Sequence, residues 1–130
     1  RTTFSMGETL VIEFEVEFFQ DFASAGLSLE VTRTEMGLNV LHLANEDCGL
    51  HLEKISEGKH YFRVEIPNCL LYPTSYQISL CVWSPGATYD YVFDILGFSM
   101  VQSDVTKRTA PLSIHKQAIF YISSQWKVLS

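Results

Sequence analysis

The side chains with the clearest chemical potential lie in the stretch "YPTSYQISLCVWSPGATYDY", where Tyr72, Tyr76, Trp83, Tyr89 and Tyr91 crowd around two turns. Aromatic rings with polar neighbours suit hydroxyl-rich ligands: the C–H faces of a pyranose pack on a ring while its hydroxyls need hydrogen-bond partners. Tyr and Trp also fill sandwich cores with a polar tip at the surface. Alternation along the strand separates these uses. If Ile78, Leu80 and Val82 face a core, then Gln77, Ser79, Cys81 and Trp83 face away from it. If "LSLEVTR", Leu27 to Arg33, lies in the same sheet, its outward Ser28, Glu30 and Thr32 flank that row, with Gly97 and Ser99 on the other side. The candidate carbohydrate-binding set is therefore Trp83, Gln77, Ser79, Glu30, Thr32 and Tyr91. Trp83 would stack on a sugar ring, and Gln77, Glu30 and Thr32 would bond hydroxyls.

Other chemistries find less support. The chain has no G-x-S-x-G, phosphate-binding glycine loop, H-E-x-x-H or dinucleotide-binding glycine pattern, so no familiar catalytic or cofactor motif is present. His42, His51, His60 and His115 are scattered. His42 and His51 bracket the acidic "NEDCG", but their spacing matches no recognised metal site, and a solvated loop is the expectation. Glu13, Glu15 and Glu17 form a row that reads as the wet face of a strand rather than a calcium or general-acid site. A glycosidase needs two carboxylates roughly 5–10 Å apart. Asp90 and Asp94 are the acids nearest the aromatic cluster, and four residues along a strand separates them by about 13 Å.

The elements that must position these residues follow from periodicity. "TLVIEFEVEF", Thr9 to Phe18, alternates Leu10, Ile12, Phe14, Val16 and Phe18 against the three glutamates, the mark of a half-buried strand. Leu27 to Arg33, Leu38 to Leu43, His60 to Pro67, Tyr76 to Trp83 and Tyr91 to Val101 follow as further strands, the last two separated by the turn Ser84 to Thr88. The apolar tail "AIFYISSQWKVL" can supply one long strand or two short ones. Short strands at close spacing with little helix predict an all-β, immunoglobulin-like antiparallel sandwich with Greek-key connections, formed by residues 1–130 as one domain. The Cys-Trp-Cys spacing of true immunoglobulins is missing.

Composition narrows the partners. The 130 residues, 47% hydrophobic and 18% charged, are enough for one folded core and too apolar for a disordered segment. A net charge of -6 opposes binding to nucleic acid or anionic lipid, which rests on Lys and Arg neutralising phosphates. The chain opens at Arg1 in a strand-like segment with no signal or membrane span, and so reads as a piece of a longer protein. Cys48, Cys69 and Cys81 are expected as reduced thiols of a cytosolic protein, with Cys69 and Cys81 the only pair to consider for a bridge.

The segment "LLYPTSYQISLCVWSPGATYDYVFDILGFSMV" resembles the carboxy-terminal domain of Wzt, the ATPase subunit of ABC transporters that export O-antigen polysaccharides. That family shows a pattern L-x-P-G-x-Y-x-I-x-L followed, after a turn, by D-x-x-x-x-A-x-x-F-x-V. Tyr76, Ile78 and Leu80 fit the first part, and Asp90, Ile95, Phe98 and Met100 occupy the second, with Ile for Ala and Met for Val. Pro73, Thr74 and Ser75 stand where the family has its glycine, so the turn differs. "MGETLVIEFEVEF" and "SSQWKV" are similar to the family's opening and closing strands.

The resemblance implies a non-catalytic, cofactor-free domain in the cytoplasm at the inner face of the bacterial inner membrane. There it would recognise finished, lipid-linked O-polysaccharide and couple it to export, alongside an N-terminal ATPase domain and the transporter's membrane subunit. It also implies a homodimer that exchanges carboxy-terminal strands. The alternative is a structural or adaptor sandwich that dimerises or docks proteins without binding glycan.

Overall fold

The alternating segment 10–18 forms strand β2 (Leu10–Phe18) and pairs antiparallel along its whole length with β6 (Gly58–Ile66), Leu10 opposite Ile66 and Phe18 opposite Gly58. This computed structural model describes residues 2–85, 90–114 and 117–129; the side chains of Asp90, Tyr91, Phe93, Asp94 and Ile114 lie outside the description, as do Tyr89 and His115. The β2–β6 pair is one layer of a two-layer sandwich. On its inner face Leu10 and Ile12 are buried and Phe14 stacks on Phe62 with ring centroids 5.6 Å apart. On its outer face Glu13 pairs with Arg63 at 3.3 Å and Glu15 with Lys59 at 3.7 Å, so the glutamate row is a solvated face with cross-strand ion pairs.

The second layer holds β1 (Thr3–Ser5), β3 (Phe22–Arg33), β4 (Leu38–Ala44), β5 (Leu52–Ile55), β7 (Ser75–Trp83) and β8 (Asp90–Val101). Its order is β1-β8-β7-β3-β4, with β5 pairing the opening of β3. The chain crosses between layers before β2, β3, β6 and β7, which is the expected immunoglobulin-like connectivity. One pairing departs from the antiparallel expectation: β1 runs parallel to β8. Parallel neighbours need a long connection, and these two strands stand at opposite ends of the sequence. "NEDC" forms a single 3-10 turn, Asn45–Cys48.

The core lies between the layers, built from Leu27, Leu29 and Val31 of β3, Ile78 and Leu80 of β7, and the inner face of β2. Two polar groups are tied into it. Tyr76, the second residue of β7, is buried, stacks on Phe98 and donates its hydroxyl to the Tyr72 carbonyl at 2.7 Å. This is the arrangement known in immunoglobulin-like sandwiches as a tyrosine corner. It takes Tyr76 out of the aromatic cluster that the sequence suggested. Opposite it, buried Arg33 bonds Glu35 and donates to the Ala118 carbonyl.

That bond fastens the start of the tail. Residues 119–121 then pair with 70–72 through the Leu71–Phe120 bridge, with Tyr72 N–H donating to Ile119 O and Tyr121 N–H to Leu70 O, both at 2.8 Å. Beyond Tyr121 the described tail forms no strand, unlike the sequence expectation. Ile122 is 81% and Val128 98% exposed, because among the described residues no strand runs alongside. None of the three cysteines is bonded to another. Cys69 packs in the core, where burial pushes its thiol up against the lowering effect of a Leu71 backbone hydrogen bond.

Burial pushes the Tyr76 phenol from its usual value of about 10 up to about 12. A raised folded-state value means the unfolded chain loses this proton first, so the contribution is intact below about pH 10 and fades between about 10 and about 12. Tyr76→Phe should cost about 1 kcal/mol at neutral pH by orphaning the Tyr72 carbonyl. In urea denaturation it should also flatten the fall in stability above pH 10.

Candidate functional site

The β3–β7 register assembles the candidate residues. Eight pairs run from Gly26 opposite Trp83 to Arg33 opposite Tyr76. Directly paired residues share a face. Leu27, Leu29, Val31 and Arg33 therefore point inward with Val82, Leu80, Ile78 and Tyr76, leaving Thr32 beside Gln77, Glu30 beside Ser79, Ser28 beside Cys81 and Gly26 beside Trp83 on the outer face. β8 extends that face with Gly97 beside Gln77 and Ser99 beside Ser75, and β4 with His42 beside Glu30. Five of the six predicted residues thus lie on two neighbouring strands, and from Gln77 to Trp83 the row is about 20 Å long. Tyr91 pairs through its backbone with Cys81 across a bulge in the β7–β8 ladder.

One glycine, Gly26, shapes this face. A Cβ on Gly26 would lie 2.1 Å from Cε2 and Cζ2 of Trp83, so the indole lies flat on the bare backbone of β3. A Cβ on Gly97 would meet the Gln77 Oε1 at 3.4 Å, an ordinary contact distance, so the Gln77 amide reaches β8 without requiring a glycine there. The indole packs over β3 at Gly26 and Trp83 is half-buried, so part of the side chain remains accessible. Gln77, Glu30 and Thr32 are half-buried, whereas Ser79 is only 5% exposed and forms the floor beneath them. The Thr32 hydroxyl donates to Asn39 Oδ1 at 2.7 Å, which leaves its oxygen able to accept.

A second feature was not anticipated from the sequence. At the end of the sandwich beyond Trp83, a pocket of about 300 Å³ is lined by Glu17, Phe18, Phe19, Gln20, Phe22 and Ser84 together with Trp83. The signal for it was the doubled Phe18-Phe19. In a strand of period two, one of two consecutive phenylalanines must face away from the core. Elsewhere, no three His, Cys, Asp or Glu side chains converge among the described residues, and no helix among them is long and apolar enough to cross a membrane.

No protein family and no curated protein matches the chain. Among solved structures, the C-terminal domain of Wzt superposes with a TM-score of 0.71, covering 98% of this chain and 74% of that one at 12% identity. This chain has the fold of the C-terminal domain of Wzt. Two of the three segments whose sequence resembles the Wzt family fall on β2, β7 and β8, whereas the third, "SSQWKV" (123–128), forms no strand here. At that identity the likeness to Wzt is one of fold, and the Trp83 platform is a property of this chain's own residues.

Gly26→Ala should lift the indole off β3. In a Trp126→Phe background, which leaves Trp83 as the single tryptophan, the emission maximum should shift to longer wavelength while the far-ultraviolet circular dichroism stays that of the parent.

Proposed function

We propose that this chain is a non-catalytic carbohydrate-binding domain that recognises finished, lipid-linked O-antigen polysaccharide on the cytoplasmic side of the inner membrane. In this proposal it is part of a longer ATPase subunit, and presents the glycan to the membrane subunit of an ABC transporter. One observation carries the reading: the β3–β7 register gathers a flat indole, an amide, a hydroxyl and a carboxylate along one outer sheet face. An extended face of this kind suits a chain of sugar rings. The Wzt fold and the sequence resemblance supply the transporter setting, and the net charge of -6 argues against nucleic acid as the partner.

The polysaccharide should bind with measurable heat, and Trp83→Ala should weaken it by about 1–3 kcal/mol, roughly five- to 150-fold. Unchanged affinity in a folded variant would remove Trp83 from the site.

The alternative reading, an adaptor without glycan binding, shares one element with the first: a homodimer joined through exchanged tails. The specific support is a groove of about 320 Å³ between the layers, lined by Phe14, Leu27, Leu29, Leu43, Phe62 and Val64, beside the unpaired edge of β6. The tail past Tyr121 alternates Ile122, Ser124, Trp126 and Val128 on one side, the pattern of a strand seeking an apolar face. Removing residues 122–130 leaves the 119–121 anchor in place and should convert a dimer to a monomer in sedimentation analysis. Under the glycan-binding reading the shortened protein still binds polysaccharide, and under the adaptor reading neither form does.

A further inference from the structure

We infer that the pocket at the end of the sandwich, formed by Phe19, Gln20, Phe22 and Trp83, is a further sugar subsite. It would take one pyranose of the polysaccharide that runs along the outer face, with Phe19 as its second stacking platform. This rests on the carbohydrate reading above and extends it to residues of the β2–β3 turn.

Three observations support the assignment. Phe19 is 81% exposed although the core neighbours Phe18 and Phe22 on either side of it are packed. The turn that carries it is braced. Phe18 and Phe22 meet edge to face at 5.8 Å, and the Asp21 carboxylate accepts the Glu57 N–H at 2.8 Å, tying this turn to the one between β5 and β6. An exposed ring on a fixed turn costs little ordering entropy when it meets a ligand.

The pocket is also of ligand size, about 300 Å³, and its mainly apolar lining of Val16, Phe18, Phe19, Phe22, Val82 and Trp83 also includes the polar residues Glu17, Gln20 and Ser84. Those are the groups that sugar hydroxyls require once a ring face has stacked. Trp83 belongs both to this lining and to the outer row, through the indole lying on Gly26. Trp83 is thus the residue common to the row and to the pocket that Phe19 lines.

The test uses the intact domain and polysaccharide freed of lipid by mild acid, prepared from the organism that encodes the chain. Calorimetry would compare the parent with Phe19→Ala, Phe19→Trp and Gln77→Ala, each confirmed as folded by circular dichroism. The inference expects Phe19→Ala to lose about two- to tenfold in affinity, the scale of one aromatic contact. Phe19→Trp should hold or gain affinity, and Gln77→Ala should weaken binding independently. Parent affinity in Phe19→Ala, with Gln77→Ala weakened, overturns the subsite and leaves the outer-face reading standing. Absence of binding by the parent itself overturns both.

Discussion

The pairing of β3 with β7 is the constraint on which both faces of the molecule depend. Its eight-residue register commits Leu27, Leu29 and Val31 with Ile78 and Leu80 to the core, and the same backbone commits Glu30, Thr32, Gln77 and Trp83 to the opposite side. A slip of one residue would exchange the two sets, exposing the core and burying the polar row. The register is held at its inner end by paired Arg33 and Tyr76, each with a polar group satisfied in the core: the guanidinium on Glu35 and the Ala118 carbonyl, the phenol on the Tyr72 carbonyl. At its outer end Gly26 and Trp83 form the facing pair. Polar anchoring at one end and a packed indole at the other leave little freedom for the strands to slide.

Why the outer face works as a surface follows from side-chain size. Ser28, Ser79 and Cys81 are small enough to be covered by the larger groups around them and are each under a tenth exposed. Gly26 leaves room on β3 where the Trp83 indole crosses it. The result is a floor of small residues with a ring at one end and an amide at the other. A side chain at Gly26 would displace the indole, since even its Cβ would lie 2.1 Å from Trp83 Cε2 and Cζ2.

Much of this was legible in the sequence because its signal is local. Alternation marked β2, β6, β7 and β8 and assigned the two faces of β7 correctly. What was not legible depends on contacts distant in sequence. Nothing about Arg33 itself shows that it is buried, since that follows from the arrival of Ala118, 85 residues on. Tyr76 was grouped with the surface aromatics because composition does not distinguish a ring that turns back to bond its own chain from one offered outward. β5 is four residues long with Lys54 at a φ of 54°, too short and too irregular to show a period. The tail carried a genuine strand pattern, and past Tyr121 it has no paired neighbour among the described residues.

That last mismatch connects two features that are otherwise separate. Among the described residues the inner layer has two strands against six in the other, so beside β6 the apolar residues Phe62 and Val64 are half-covered and a groove remains between the layers. The tail leaves Ile122, Trp126, Val128 and Leu129 between 81% and 98% exposed. A solvated apolar segment and a half-covered apolar edge on one molecule are complementary surfaces, and burying each large side chain is worth about 1.5–3 kcal/mol. The groove opens between the layers, whereas the Trp83 row lies on the far side of the six-stranded sheet. Self-association through the tail therefore leaves the polar row uncovered, so an assembly built this way would present one such row from each copy.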